Sequence, residues 1–65
     1  MLETVNMAMK LLDEAAEQGI FGIVISFGAT MTISDVERYR EYIENNGYYC
    51  SYRRQSDQTS FDIWI

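Results

Sequence analysis

Sixty-five residues make a single domain, and a chain this short hides only about 60% of the surface it exposes when unfolded. A hydrophobic share of 48%, with five tyrosines, three phenylalanines and one tryptophan, supports a packed core and excludes a disordered chain. Ten acidic residues against five basic ones give a formal charge of −5, which disfavours nucleic acid as a partner unless the few cations cluster.

The chain opens with "MLETVNMAMKLL", which carries Glu3 where a secretion signal would carry basic residues. No apolar run approaches the roughly 18 residues of a membrane span. Neither a signal peptide nor a membrane helix is expected. Over residues 2 to 18, Leu2, Val5, Met9, Leu12 and Ala16 recur at helical spacing. Met1, Ala8, Leu11 and Ala15 widen this stripe, while Glu14 and Glu17 lie opposite. Gly19 supplies the left-handed residue that ends the first helix.

Residues 20 to 27, "IFGIVISF", alternate Phe21, Ile23, Ile25 and Phe27 with Gly22, Val24 and Ser26, the two-residue period of a strand with one bulky face. "SDVE" then reads as a capping box in which Ser34 and Glu37 satisfy each other's backbone amides, so a second helix is predicted to start at Ser34. Its apolar stripe is Val36, Tyr39 and Ile43, and Gly47 of "NNG" ends it.

The remainder, "YYCSYRR", "QSDQ" and "TSFDIWI", reads as a hairpin with its loop at residues 55 to 58. Setting Arg54 opposite Thr59 pairs Tyr52 with Phe61, Cys50 with Ile63 and Tyr49 with Trp64. That register gathers Tyr48, Cys50, Tyr52, Phe61, Ile63 and Ile65 on one face, and Tyr49, Ser51, Arg53, Ser60, Asp62 and Trp64 on the other; a one-residue slip would mix them. The predicted fold is α+β, a small αβαββ two-layer sandwich. Its three-stranded mixed sheet carries two helices on the face of Phe21, Ile25, Tyr52 and Ile63. Strand order 1-3-2 is favoured over 1-2-3, because "FDIWI" is the more apolar half of the hairpin and suits the centre.

The second face then has nothing to cover it, and it carries Tyr49, Trp64, Val24, Arg53 and Asp62. A plain structural reading makes Tyr49 and Trp64 a cross-strand pair, with Trp64 lying over Gly22. A functional reading makes the same residues a protein contact, since tryptophan, tyrosine and arginine are the side chains most enriched at binding hot spots. A third lets bases stack on Tyr49 and Trp64 while Arg53 and Arg54 meet phosphates, against which stand the net charge and Asp62.

Catalytic chemistry is poorly supplied. There is no histidine to act as general base, and the lone Cys50 falls on the core side, where a thiol behaves as a small hydrophobe. It allows no internal disulfide, which fits a reducing, cytoplasmic setting. No cysteine or histidine cluster suits zinc, no Asp-rich loop suits calcium, and neither "GIFG" nor "SFGAT" is a phosphate loop, so no cofactor or metal is expected. On the second helix, Glu37 with Arg40 and Arg40 with Glu44 are ordinary surface pairs; the competing reading is an acidic surface that meets a basic partner.

These residues point to a small non-enzymatic protein-binding module. An inhibitor or adaptor is the expectation, of the kind short acidic chains from phages and mobile elements often provide. The alternatives are a homodimer whose open faces pack together, and a single-stranded nucleic-acid binder through Tyr49, Trp64 and Arg53.

Overall fold

The computed structural model describes residues 2 to 65. Chain order is α1 (Leu2–Ala16), β1 (Gly22–Phe27), α2 (Ile33–Asn45), β2 (Tyr49–Arg54) and β3 (Thr59–Trp64). The sheet order is β1-β3-β2, and β3 is antiparallel to both neighbours. β1 and β2 share a direction but never pair, so the sheet predicted as mixed is antiparallel in both its ladders. The hairpin register matches the predicted one rung for rung, from Tyr49 opposite Trp64 to Arg54 opposite Thr59.

Both helices end in the same device. Gly19 and Gly47 take positive φ, 86° and 95°. In α1, Gly19 N–H donates to the Ala16 carbonyl and Ile20 N–H to that of Ala15. In α2, Gly47 donates to Glu44 and Tyr48 to Ile43. Each is a Schellman motif that satisfies carbonyls the helix would leave bare.

The start of α2 differs from the sequence reading. Its cap is Thr32, whose hydroxyl accepts from Asp35 N–H at 3.1 Å, and the helix begins at Ile33, so Ser34 lies inside the first turn instead of capping it. Thr32 keeps the extended backbone a cap needs, and Asp35 sits in the first turn, where the helix dipole favours a carboxylate.

One core joins the two layers. Val5, Ala8, Met9 and Leu12 of α1 and Val36 and Ile43 of α2 bury against Cys50, Phe61 and Ile63, with Met31 of the crossover loop. Phe61 is the hub, its ring within 6.0 Å to 6.5 Å of Phe27, Tyr39 and Tyr52. Tyrosine hydroxyls tie α1 to the rest: Tyr42 donates to Asn6 Oδ1 and Tyr48 to Asp13 Oδ1, each at 2.6 Å.

Two residues assigned to the covered face are exposed. Phe21 precedes β1, still in the descent from the helix layer to the sheet, and Ile65 follows β3; they form the terminal rung, where Ile65 N–H donates to the Phe21 carbonyl at 3.0 Å. Among the described residues, the helix layer leaves both of them at least half exposed.

Candidate functional site

The uncovered face of the sheet is a grid of three rows. One row runs Gly22, Trp64, Tyr49; the next Val24, Asp62, Ser51; the last Ser26, Ser60, Arg53. The five residues singled out from the sequence, Tyr49, Trp64, Val24, Arg53 and Asp62, therefore do share one face. Alternation along each strand puts them there, because the same strands turn Cys50, Phe61 and Ile63 into the core.

The aromatic row is both self-packed and open. Tyr49 and Trp64 stack with ring centroids 5.9 Å apart and planes at 19°. Tyr49 is 61% exposed, Val24 57% and Trp64 39%, so stacking shields only part of each surface. Gly22 flanks Trp64 on the other side, and a Cβ there would stand 3.6 Å from the Trp64 Cβ. The Tyr49 ring thus covers one side of the Trp64 indole, while Trp64 stays 39% exposed.

Below that row, Val24 apart, the grid is short and polar. Ser51 Oγ donates to Asp62 Oδ2 at 3.4 Å, and the hydroxyls of Ser26 and Ser60 bond to each other at 3.0 Å. Arg53 is exposed, and no carboxylate among the described residues lies within ion-pair distance of it. Its charge is free for an external group.

Arg54 belongs elsewhere. Strand parity turns it to the helix side, where its Nε donates to the Met31 carbonyl at 2.8 Å. A phosphate contact through Arg54 on the open face is therefore corrected. The same corner uses Thr59, fully buried, whose hydroxyl donates to the Ala29 carbonyl at 3.0 Å and accepts from Met31 N–H at 2.9 Å. Thr30 Oγ1 donates in turn to the Gln55 carbonyl. Together these latch the β1–α2 crossover onto the hairpin. A strand threonine carries no sequence signal of such a role, so the latch escapes a reading of periodicity alone.

Other chemistry lies on the helix side. Cys50 is buried, and burial pushes its thiol pKa up to about 11, which keeps it protonated and unreactive at neutral pH. The hydrogen bond to Asp13 raises the Tyr48 phenol to about 12. No metal-ligand cluster occurs among the described residues. A shallow groove of about 540 Å³ lies between the helices, floored by Leu2, Met31, Tyr39 and Tyr42, with the Asp35–Arg38 ion pair beside it. The other two ion pairs join Arg40 to Glu37 at 2.7 Å and to Glu44 at 3.4 Å, as the helical spacing predicts. No helix among the described residues is long and apolar enough to cross a membrane. No protein-family model matches the chain, and no curated protein or solved structure matches it.

Proposed function

We propose that this protein is a non-enzymatic protein-binding module, an inhibitor or adaptor, that engages its partner through the open sheet face. The observation that carries this reading is the stacked, solvent-facing Tyr49–Trp64 pair, with Val24 beside it and the unpaired Arg53 at the far end of the grid. A rigid aromatic pair loses little conformational freedom on binding and offers a large apolar contact, while Arg53 and Asp62 add directional polar groups.

The non-enzymatic part follows from residue chemistry. The chain has no histidine, and its one thiol is sealed in the core. A buried, unpaired cysteine suits a reducing compartment, and a cytoplasmic setting goes with the proposal. Single-strand nucleic-acid binding is the weaker alternative, since Arg54 is engaged by the Met31 carbonyl and Arg53 alone would face the phosphates.

The test replaces Tyr49 and Trp64 together by serine and measures capture of partner by the immobilised protein. Aromatic hot spots are typically worth about 2 kcal/mol or more each, so the double variant should bind at least about a hundredfold more weakly while its far-UV circular dichroism stays native. Undiminished capture by a folded double variant would refute the assignment of this face.

A further inference from the structure

β1 is an edge strand, with β3 as its one neighbour. The bond from Ile65 N–H to the Phe21 carbonyl makes that rung a hydrogen-bonded one. Such rungs alternate in an antiparallel ladder, so Ile23, Ile25 and Phe27 also aim their backbone groups at β3, while Gly22, Val24 and Ser26 aim theirs outward. The outward row is symmetric about Val24.

Natural sheets guard such edges with lysine, proline or a bulge. β1 has none of these: no charged residue lies between Glu17 and Asp35, the chain contains no proline, and the register to β3 is unbroken. The opposite edge, β2, carries Arg53 and Arg54. The core is also unfinished along β1, because Ile23, Ile25 and Phe27 stay half-exposed while Phe61 and Ile63 of the central strand are sealed.

The layer above matches. α1 is the helix packed against β1. Its bonds to Tyr42 and Tyr48 place Asn6 and Asp13 on the α2 side, and Val5, Met9 and Leu12 face the core. The helical period then sets Thr4 and Leu11, both exposed, with Ala8 and Ala15 on the flank over the free edge, while Met7 turns outward beside Glu3, Lys10 and Glu14. An uncharged stripe thus runs from helix to strand, clear of the acidic groups that would otherwise repel a second copy.

We propose that the free edge of β1 is the site at which a second copy of this chain adds, joining two three-stranded sheets into one with the Thr4 and Leu11 flanks closing over the seam. Laid antiparallel about a two-fold axis through Val24, each outward N–H meets an outward carbonyl: Val24 pairs with its own copy and Gly22 with Ser26 of the partner subunit. On the helix side Ile23 comes beside Ile25 of the partner subunit, which closes the open margin of the core. A second copy brings its own uncharged flank and unfinished Ile23–Ile25 margin against this one, so apolar surface meets apolar surface, and a chain this small gains most from the added burial. Both Tyr49–Trp64 pairs stay on one continuous open face, with the two β3 strands about 14 Å apart at the usual spacing of about 4.8 Å between strands.

Sedimentation equilibrium should return twice the 7.6 kDa chain mass for the wild-type protein. The Thr4→Lys/Leu11→Lys double variant, altered only at exposed positions, should be a folded monomer, as should Val24→Pro, which removes an outward N–H and leaves the β3 ladder intact. Tyr49→Ser/Trp64→Ser should remain dimeric, which separates this inference from the binding role of the open face. In hydrogen exchange the Val24 amide should be protected in the wild type and fast in the lysine variant. A wild-type monomer at several hundred micromolar would overturn the proposal, and so would a dimer that survives Thr4→Lys/Leu11→Lys; the lysine variant decides if Val24→Pro does not fold.

Discussion

Thr59 holds a buried hydroxyl between the Ala29 carbonyl and the Met31 amide, so the bend that follows β1 is fastened from the hairpin rather than by its own residues. Thr59→Val keeps the volume but strands both backbone groups, and each unsatisfied group costs about 1–3 kcal/mol. Urea unfolding should show a loss of at least that size. The cap of α2 gives a sharper contrast: Thr32→Ala should lose about 1 kcal/mol and Ser34→Ala close to nothing, whereas the capping-box reading of "SDVE" demands the reverse. Two titrating groups set the alkaline limit. Cys50 rises from 9.0 to about 11 through burial, and Tyr48 from 10.0 to about 12, chiefly through its hydrogen bond to Asp13. The folded state holds both protons more tightly than the unfolded chain. Their stabilisation is therefore complete below about pH 9 and drains as pH climbs toward 12. Denaturant melts from pH 8 to 11 should show that decline, and Cys50→Ala should flatten its onset between pH 9 and 11.

At the scale of elements, the hairpin was the most legible part of the sequence. Its register was fixed by the need to keep Cys50, Phe61 and Ile63 together and Tyr49, Ser51 and Asp62 apart, and a period of two tolerates no slip. Gly19 and Gly47 announced both helix ends, because a residue at positive φ is what a Schellman turn requires. The beginnings were less legible. Thr32 and Ser34 are both capping residues two positions apart, and local chemistry does not choose between them; the latch of Thr59 and Arg54 on the loop before α2 does. Phe21 and Ile65 continue the apolar alternation of their strands, but the helix layer stops short of them, and periodicity carries no information on where a neighbouring layer ends. The open face was legible for the same reason as the hairpin: once the helices are assigned to the other side, Tyr49, Trp64 and Val24 have nowhere else to go. The uncharged run from Gln18 to Ser34 stands in the sequence, but that it borders a free strand edge needed the sheet order, and the direction of its free groups needed the Phe21–Ile65 bond.

For the whole molecule, a chain of this length carries a total stability of only about 3–10 kcal/mol. Truncating its hub residue removes a large share of that, so Phe61→Ala, at about 3–5 kcal/mol, should lower the thermal midpoint at neutral pH by more than about 10 °C. A molecule with so little to spare nevertheless leaves a stacked tyrosine and tryptophan on the side of its sheet away from the helices, and that allocation is the basis for assigning the face to binding. Trp64, the one tryptophan, reports on it directly. Its fluorescence emission maximum, recorded from nanomolar to near-millimolar protein, should lie between those of a buried and a fully solvated indole and should not move with concentration, since pairing at the β1 edge leaves the open face in solvent. A blue-shifted peak that moves to the red on dilution would mean that the face is covered by self-association, and would contradict the account of an open surface held ready for a partner.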